Sequence, residues 1–278
     1  MFQFLIDKLA GMGHRRIYSN APLALTVVEL RHTLTPPLNE EEQAALKKLL
    51  SDVFPIARPL ESAAVNIPLN AVGQATTKLT IDPRYMTRDS TTAVTFRADG
   101  IVVETTAYKR RSDLRELLRR AVEARLAVSA PDGMNRLGLR YINEIRADVD
   151  TPGDWSKWIS PALTGMAELH VGDTSRTQAW QGMATFGDQH CGVVLRHGNL
   201  DGYAVAPDGD LRRVTDPPGP FYLLDLDSYW TPDPDIPTLD WWNIEQRYDE
   251  AALSAYGLFE QLITDTYREE VLREHHEQ

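Results

Sequence analysis

The segment Arg136-Leu137-Gly138-Leu139-Arg140-Tyr141-Ile142-Asn143 constrains the fold more than any other stretch of the chain, because it reads as one strand with two chemically distinct faces. Successive side chains on a strand point to opposite sides. Leu137, Leu139 and Tyr141 therefore form an apolar column that Asn143 joins and Ile145 extends. Arg136, Arg140 and Arg146 leave from the other side, interrupted by Gly138 and Ile142. Two arginines flanking a glycine suit a carboxylate or phosphate, or acids on a neighbouring strand. Both guanidinium groups are expected on a sheet face directed into a crevice.

The 278 residues are 42% hydrophobic and 25% charged, the balance of a globular protein with a sizeable core. Cys191 is the only cysteine. It excludes an internal disulfide, fits a reducing cytoplasm, and is expected to be buried and inert. A net charge of −11 opposes generic binding to nucleic acid. No apolar run reaches the roughly 20 residues that a bilayer requires. The opening Met1 to Ile6 is broken by Asp7 and Lys8, so a short amphipathic helix is expected there rather than a signal segment.

The chain divides into an extension (residues 1–20), a first α+β half (21–150) and a second (151–278), the two halves forming one unit. In the first, a strand from Leu23 to Leu34 precedes a helix capped by Asn39 and running to about Val53. Strands follow near Ala63 to Ile67, Ala75 to Ile81 and Ala93 to Ala98. Asp99-Gly100 then signals a hairpin returning through Ile101 to Tyr108, with positive φ expected in the turn. Leu114, Leu117, Leu118, Ala121, Val122 and Leu126 recur at helical spacing between Ser112 and Val128. The second half echoes the plan: a helix from Trp155 to Leu169, strands at Thr177 to Phe186, Cys191 to Arg196 and Phe221 to Asp227, and a terminal helix from Asn243 to about Leu272. Hairpin-linked strands followed by packing helices predict an α+β fold with antiparallel sheets and two similar halves.

Asp225 and Asp227 share a strand face and form a candidate Mg²⁺ pair for phosphoryl or nucleotidyl transfer. A third acid and a phosphate-cradling loop are missing upstream, and the simpler reading pairs the two acids with Arg136 and Arg140. The histidines lack metal-ligand spacing, and His190 and Cys191 point to opposite faces of a strand. No catalytic residue, metal or cofactor is assigned. Lys109, Arg110, Arg111, Arg115, Arg119 and Arg120 form a basic stripe that suits nucleic-acid phosphates, diluted by Glu116 and Glu123 and without aromatics to stack on bases. Trp155, Trp158, Trp230, Trp241 and Trp242 crowd the second half. Of these, Trp230, Trp241 and Trp242, with the stiff Pro232–Pro237 loop, are expected to rim a recognition surface, while core staples for the terminal helix are the competing reading.

The opening Ala21-Pro22-Leu23, the central Arg136 to Asn143 strand, and Leu224-Asp225-Leu226-Asp227 before a long helix carry a resemblance over roughly residues 21–272. The chain resembles a sporadically distributed family of uncharacterised bacterial and archaeal proteins. That resemblance implies a soluble protein from mobile or defence-type gene neighbourhoods and transfers no catalytic residue. The leading expectation is a non-catalytic cytoplasmic binding protein of a bacterial multi-gene, defence or toxin–antitoxin-like system. Its binding residues would be Arg136, Arg140, Tyr141, Asn143, Trp230, Trp241 and Trp242. Its expected partner is a protein encoded nearby, with a small-molecule ligand and a homodimer as further options and nucleic acid disfavoured. The alternatives are the Asp225/Asp227 metal-dependent transferase and nucleic-acid binding by the Lys109–Arg120 stripe.

Overall fold

A computed structural model describes residues 17–18, 20–66, 76–172, 175–272 and 274–275. The amphipathic segment expected at the N-terminus lies outside the described residues. Nine strands form one antiparallel sheet: β1 (Leu23–His32), β2 (Ile56–Ala57), β3 (Arg84–Met86), β4 (Thr92–Arg97), β5 (Gly100–Thr105), β6 (Met134–Ile145), β7 (Trp180–Gly187), β8 (Cys191–Gly202) and β9 (Gly219–Trp230). Their spatial order is β7-β8-β9-β6-β1-β5-β4-β3-β2. Three longer helices accompany them: α1 (Glu40–Leu50), α2 (Arg111–Val128) and α3 (Trp241–Leu262).

The order of elements repeats. In the first half β1 leads through α1 to β3, β4, β5 and α2; in the second, β6 leads through short helical turns to β7, β8, β9 and α3. In each half the leading strand pairs with the last strand of the meander, β1 with β5 and β6 with β9. The two leading strands pair with each other, so the sheet runs unbroken across both halves. The fold is α+β.

Alternation dictates which face is covered. Ala24, Thr26, Val28, Leu30 and His32 of β1 are buried, as are Leu137, Leu139, Asn143 and Ile145 of β6. Val28 and Leu30 meet Leu46 and Leu50 of α1, Leu114 and Leu118 of α2, and Ile244 and Tyr248 of α3 in one core. A second core gathers Ile145, Trp155, Trp158, Leu195, Tyr222 and Leu224 under Ala255, Phe259 and Leu262 of α3. Each fully buried leucine contributes about 1.5–3 kcal/mol. Tyr141 touches both cores. The helices thus share one face of the sheet, and the opposite face carries the charged residues.

Local chemistry fixes the helix starts. Asn39 Oδ1 accepts from the Glu42 N–H while the Glu42 carboxylate accepts from the Asn39 N–H, a reciprocal cap on α1. Asp240 accepts from the Asn243 N–H and caps α3.

Several expectations need correction. The terminal helix stops at Leu262, because Ile263 is extended (φ −107°, ψ 153°) and bridges to Ile159; a separate helical turn covers Tyr267–Leu272. The Trp155 to Leu169 stretch is a chain of short turns rather than one helix, organised by burial of Trp155 and Trp158. The strands Leu60–Asn66 and Thr76–Asp82 form a ribbon of their own instead of joining the sheet. The β4–β5 hairpin exists, but neither Asp99 nor Gly100 takes a positive φ. Gly100 is required by a close approach instead, since a Cβ there would meet the Leu30 carbonyl oxygen at 3.0 Å. Cys191 is partly exposed rather than buried.

Candidate functional site: a groove between the sheet and two helices

The uncovered face of the sheet carries a ladder of ion pairs. Arg140 of β6 holds Asp225 of β9 from two points, Nε to Oδ1 at 2.7 Å and Nη2 to Oδ2 at 2.6 Å. Arg196 of β8 approaches the same carboxylate at 3.5 Å. Arg136 Nη1 donates to Glu29 Oε2 at 3.1 Å, and its Nη2 lies 3.8 Å from Asp227. Glu29 also meets Arg31 at 3.2 Å and Arg97 at 3.4 Å. The Asp225 side chain is only 3% exposed beneath its arginines. Its grip favours the charged guanidinium, pushing the Arg140 pKa upward. Burial pushes the Asp227 carboxyl above its usual range, with Arg136 and Arg140 opposing.

Gly138 leaves room for the Arg136 guanidinium. A Cβ there would sit 2.5 Å from Arg136 Nη1, so the guanidinium lies flat over the glycine on its way to Glu29. The arginines and their acids stand on neighbouring strands of one sheet, with Arg140 directly opposite Asp227, and they line neither the groove described below nor the hollow beside residues 147–158. Both Asp225 oxygens accept from Arg140 and Arg196 stands 3.5 Å away, so a metal ion would have to compete with two guanidinium charges for this carboxylate. Among the described residues no group of three or more His, Cys, Asp or Glu is arranged to hold a metal ion.

The other face holds a groove of about 620 Å³ where the two cores meet. Tyr141 and Asn143 of β6 and Leu226 of β9 form its floor. Ala252, Ala255, Tyr256 and Phe259 of α3 form one wall, and Tyr18 with Ala21, Pro22 and Leu23 closes another. A β-bulge between Leu23 and Leu25 shifts the register of β1 against β6 at this wall. Tyr108, Lys109, Arg110, Arg111 and Ser112 supply the rim at the start of α2. Tyr108 and Tyr141 meet edge to face at 5.7 Å, and the Tyr18 hydroxyl donates to Glu260 at 2.7 Å.

Asn143 is 4% exposed. Its Nδ2 donates to the Leu224 carbonyl at 2.9 Å and, at 3.4 Å, to the Tyr141 carbonyl. A carbonyl accepts and never donates, so the amide is oriented with Oδ1 as the spare acceptor. Oδ1 takes no partner among the described residues.

The sequence-predicted residues therefore separate. Arg136 and Arg140 lie on the charged face, whereas Tyr141 and Asn143 enter the groove. Trp230 and Trp241 pack against the first core, with the Arg247 guanidinium 4.8 Å from the Trp230 ring. Trp242 is 66% exposed. None of these three indoles lines the groove. The basic stripe is largely neutralised: Arg111 and Arg115 pair with Asp249, Arg119 with Glu116 and Glu123, and Arg120 with Asp52. The Cys191 thiol is pushed up by burial and by nearby Asp188 and Glu250, which opposes thiolate chemistry.

A second hollow of similar volume is walled mainly by residues 147–158. Its Asp154 carboxylate already accepts from the N–H groups of Asp150 and Thr151. Sequence reasoning missed Tyr18, Tyr108 and Tyr256 as groove residues and Glu29 as the acid between three arginines. Glu29 had a signal, since it alternates with Val28 and Leu30 on the polar side of β1; the tyrosines, far apart in sequence, had none.

No protein-family model matches the chain, and no curated protein matches it significantly.

Proposed function

We propose that this chain is a non-catalytic binding protein that receives a small-molecule ligand in the groove between β6, β9, α2 and α3. The groove itself carries the reading. Its volume of about 620 Å³ falls in the range of small-molecule sites, and it combines an aromatic and aliphatic lining with a few converging polar groups. The transferase alternative loses support from the two-point hold of Arg140 on Asp225. The nucleic-acid alternative loses support from the acids that neutralise Arg111, Arg115, Arg119 and Arg120. A protein partner is favoured at a different place by Trp242, exposed beside the Pro232–Pro237 loop. The setting in a bacterial multi-gene system is what the family resemblance implies, and a reducing cytoplasm is what the lone Cys191 suits. No helix among the described residues is long and apolar enough to cross a membrane.

Fluorescence titration with uncharged N-phenyl-1-naphthylamine tests the groove. One saturable site per chain is expected, weakened about tenfold by Leu23→Trp, a substitution at a partly exposed wall position. Absent binding, or binding indifferent to both Leu23→Trp and Asn143→Leu in variants that keep the parent melting temperature, would overturn the proposal.

A further inference from the structure

We infer that the free edge of β7 receives a second copy of this chain, strand against strand, so that the nine-stranded sheet continues across a two-fold axis. The inference is independent of the groove, since none of the residues it uses lines that groove.

The first observation is the edge itself. β7 ends the sheet, and its one neighbour is β8, paired without a register shift from Trp180 opposite Asn199 to Gly187 opposite Gly192. An antiparallel strand turns its backbone N–H and C=O groups alternately to its two sides. Between Gln181 and Gly187 the outward groups meet no partner among the described residues. A long open edge is ordinarily blunted by a charge, a proline, a bulge or a covering element. From Thr177 to Gly187 the sequence holds no charged residue and no proline, and every residue from Gln181 to Gly187 is partly or fully exposed. The other end of the sheet offers only the two residues of β2, Ile56 and Ala57. The occupant of the β7 edge must therefore be an extended strand.

The second observation is the apolar surface gathered at that edge. Five of the twelve large apolar side chains exposed among the described residues are Met166, Leu169, Val171, Met183 and Phe186. The stretch before β7 is tied to it, because Trp180 Nε1 donates to the Leu163 carbonyl and Thr177 N–H to the Leu169 carbonyl. Apolar groups collected in one place, rather than scattered, mark an interaction surface.

The third observation selects a second copy as the occupant. Two chains of net charge −11 repel over most of their surface, and this uncharged strand lets them meet without opposing like charges. An antiparallel two-fold centred on Ala184 overlaps Gln181–Gly187 with itself completely. It sets Phe186 beside the second copy's Gly182 and Met183 beside its Thr185, each pair on one face of the sheet. Gly182 is bare because a Cβ there would stand 2.5 Å from His197 Nε2. An aromatic ring over an edge glycine is a stabilising cross-strand pair.

Sedimentation equilibrium of the full chain over a concentration series tests the inference. A reversible monomer–dimer equilibrium is expected, with a dissociation constant of about 1–100 μM. Thr185→Lys places two like charges diagonally across the axis, about 7–8 Å apart, and should raise that constant at least about tenfold. Thr185 is exposed, so this variant should keep the parent melting temperature in dilute solution. Ile56→Lys, at the opposite edge of the sheet, should leave the equilibrium unchanged. Hydrogen exchange supplies a second readout: the outward amides of β7 should exchange more slowly in concentrated than in dilute samples. A chain that stays monomeric at every concentration would overturn the inference and leave the edge to a strand of another protein. A dimer indifferent to both Thr185→Lys and Met183→Lys would overturn it as well, because the copies would then meet elsewhere.

Discussion

Arg140 and Asp225 meet through two parallel hydrogen bonds of 2.7 and 2.6 Å, although their strands place Arg140 opposite Asp227. The guanidinium leans diagonally along the sheet and leaves Asp227 to Arg136. The side chains thereby spread four charges over two adjacent strands, each carboxylate facing an arginine. Such ladders fix the register of a sheet, because a one-residue slip would carry every charged side chain to the wrong face.

The pair should show measurable interdependence. A double-mutant cycle of Arg140→Ala and Asp225→Ala, read by urea unfolding, is expected to give an interaction energy of about 2 kcal/mol. Arg140→Ala alone should be destabilising, since it leaves a buried carboxylate with only the longer Arg196 contact. Isothermal titration with Mg²⁺ and Mn²⁺ supplies the complementary check. Tight binding that Asp225→Ala abolishes would put the transferase reading first.

Asp227 should behave in the opposite sense. Burial raises its pKa in the folded chain, more than Arg136 and Arg140 lower it. An acid whose folded pKa lies above its unfolded value penalises the fold when ionised. The penalty is absent below the unfolded value of about 3.9, grows as pH rises through the folded value, and is complete at neutrality. Asp227→Asn is thus expected to raise the melting temperature at pH 7 and to lose that advantage in melts run near pH 4. A lower melting temperature at pH 7 would mean that the Arg136 contact outweighs burial.

Arg125 is fully buried in the first core region, and of its guanidinium only Nη2 finds a partner, Thr35 Oγ1 at 2.8 Å. No acid pairs with it among the described residues, and burial lowers its pKa. Replacing such a charge with an unbranched apolar side chain removes a desolvation cost while keeping most of the volume. Arg125→Met should stabilise the chain by about 1–3 kcal/mol in denaturant melts. A loss of comparable size would show that the charge is compensated.

The tryptophans should differ in their structural weight. Trp242→Ala, at an exposed ring, is expected to change stability by less than about 0.5 kcal/mol. Trp230→Ala removes a ring packed on the core and stacked by Arg247, and should cost about 2 kcal/mol. Equal costs would place Trp242 among the core staples.

What the sequence disclosed followed the reach of local chemistry. The period-two column of Leu137, Leu139 and Tyr141 marked β6 and its covered face, because strand alternation depends only on neighbouring residues. The Asn39 cap marked α1 for the same reason. The long reading of the terminal helix failed because apolar spacing continues past Leu262, whereas the break comes from a bridge between Ile263 and Ile159, more than a hundred residues apart. The groove was half visible: Tyr141 and Asn143 stood out by their position in the strand, but Tyr18, Tyr108 and Tyr256 join them only through tertiary folding. The arginine–acid pairing was foreseeable from charge alternation on two strands; that these strands are direct neighbours depends on the order of the whole sheet.

The pairing of β1 with β6 has a consequence for how the chain comes off the ribosome. β1 can close against β5 within its own half, but its other edge waits for β6, roughly a hundred residues later. At about 5–20 residues per second, translation leaves that edge open for several seconds. Throughout that interval Val28 and Leu30 belong to a half-built sheet whose exposed backbone groups can accept any extended segment within reach. The middle of the finished sheet is therefore the vulnerable place in the nascent one. Substitutions that slow the arrival of β6 should be felt as aggregation during synthesis before they are felt as lost stability in the folded protein.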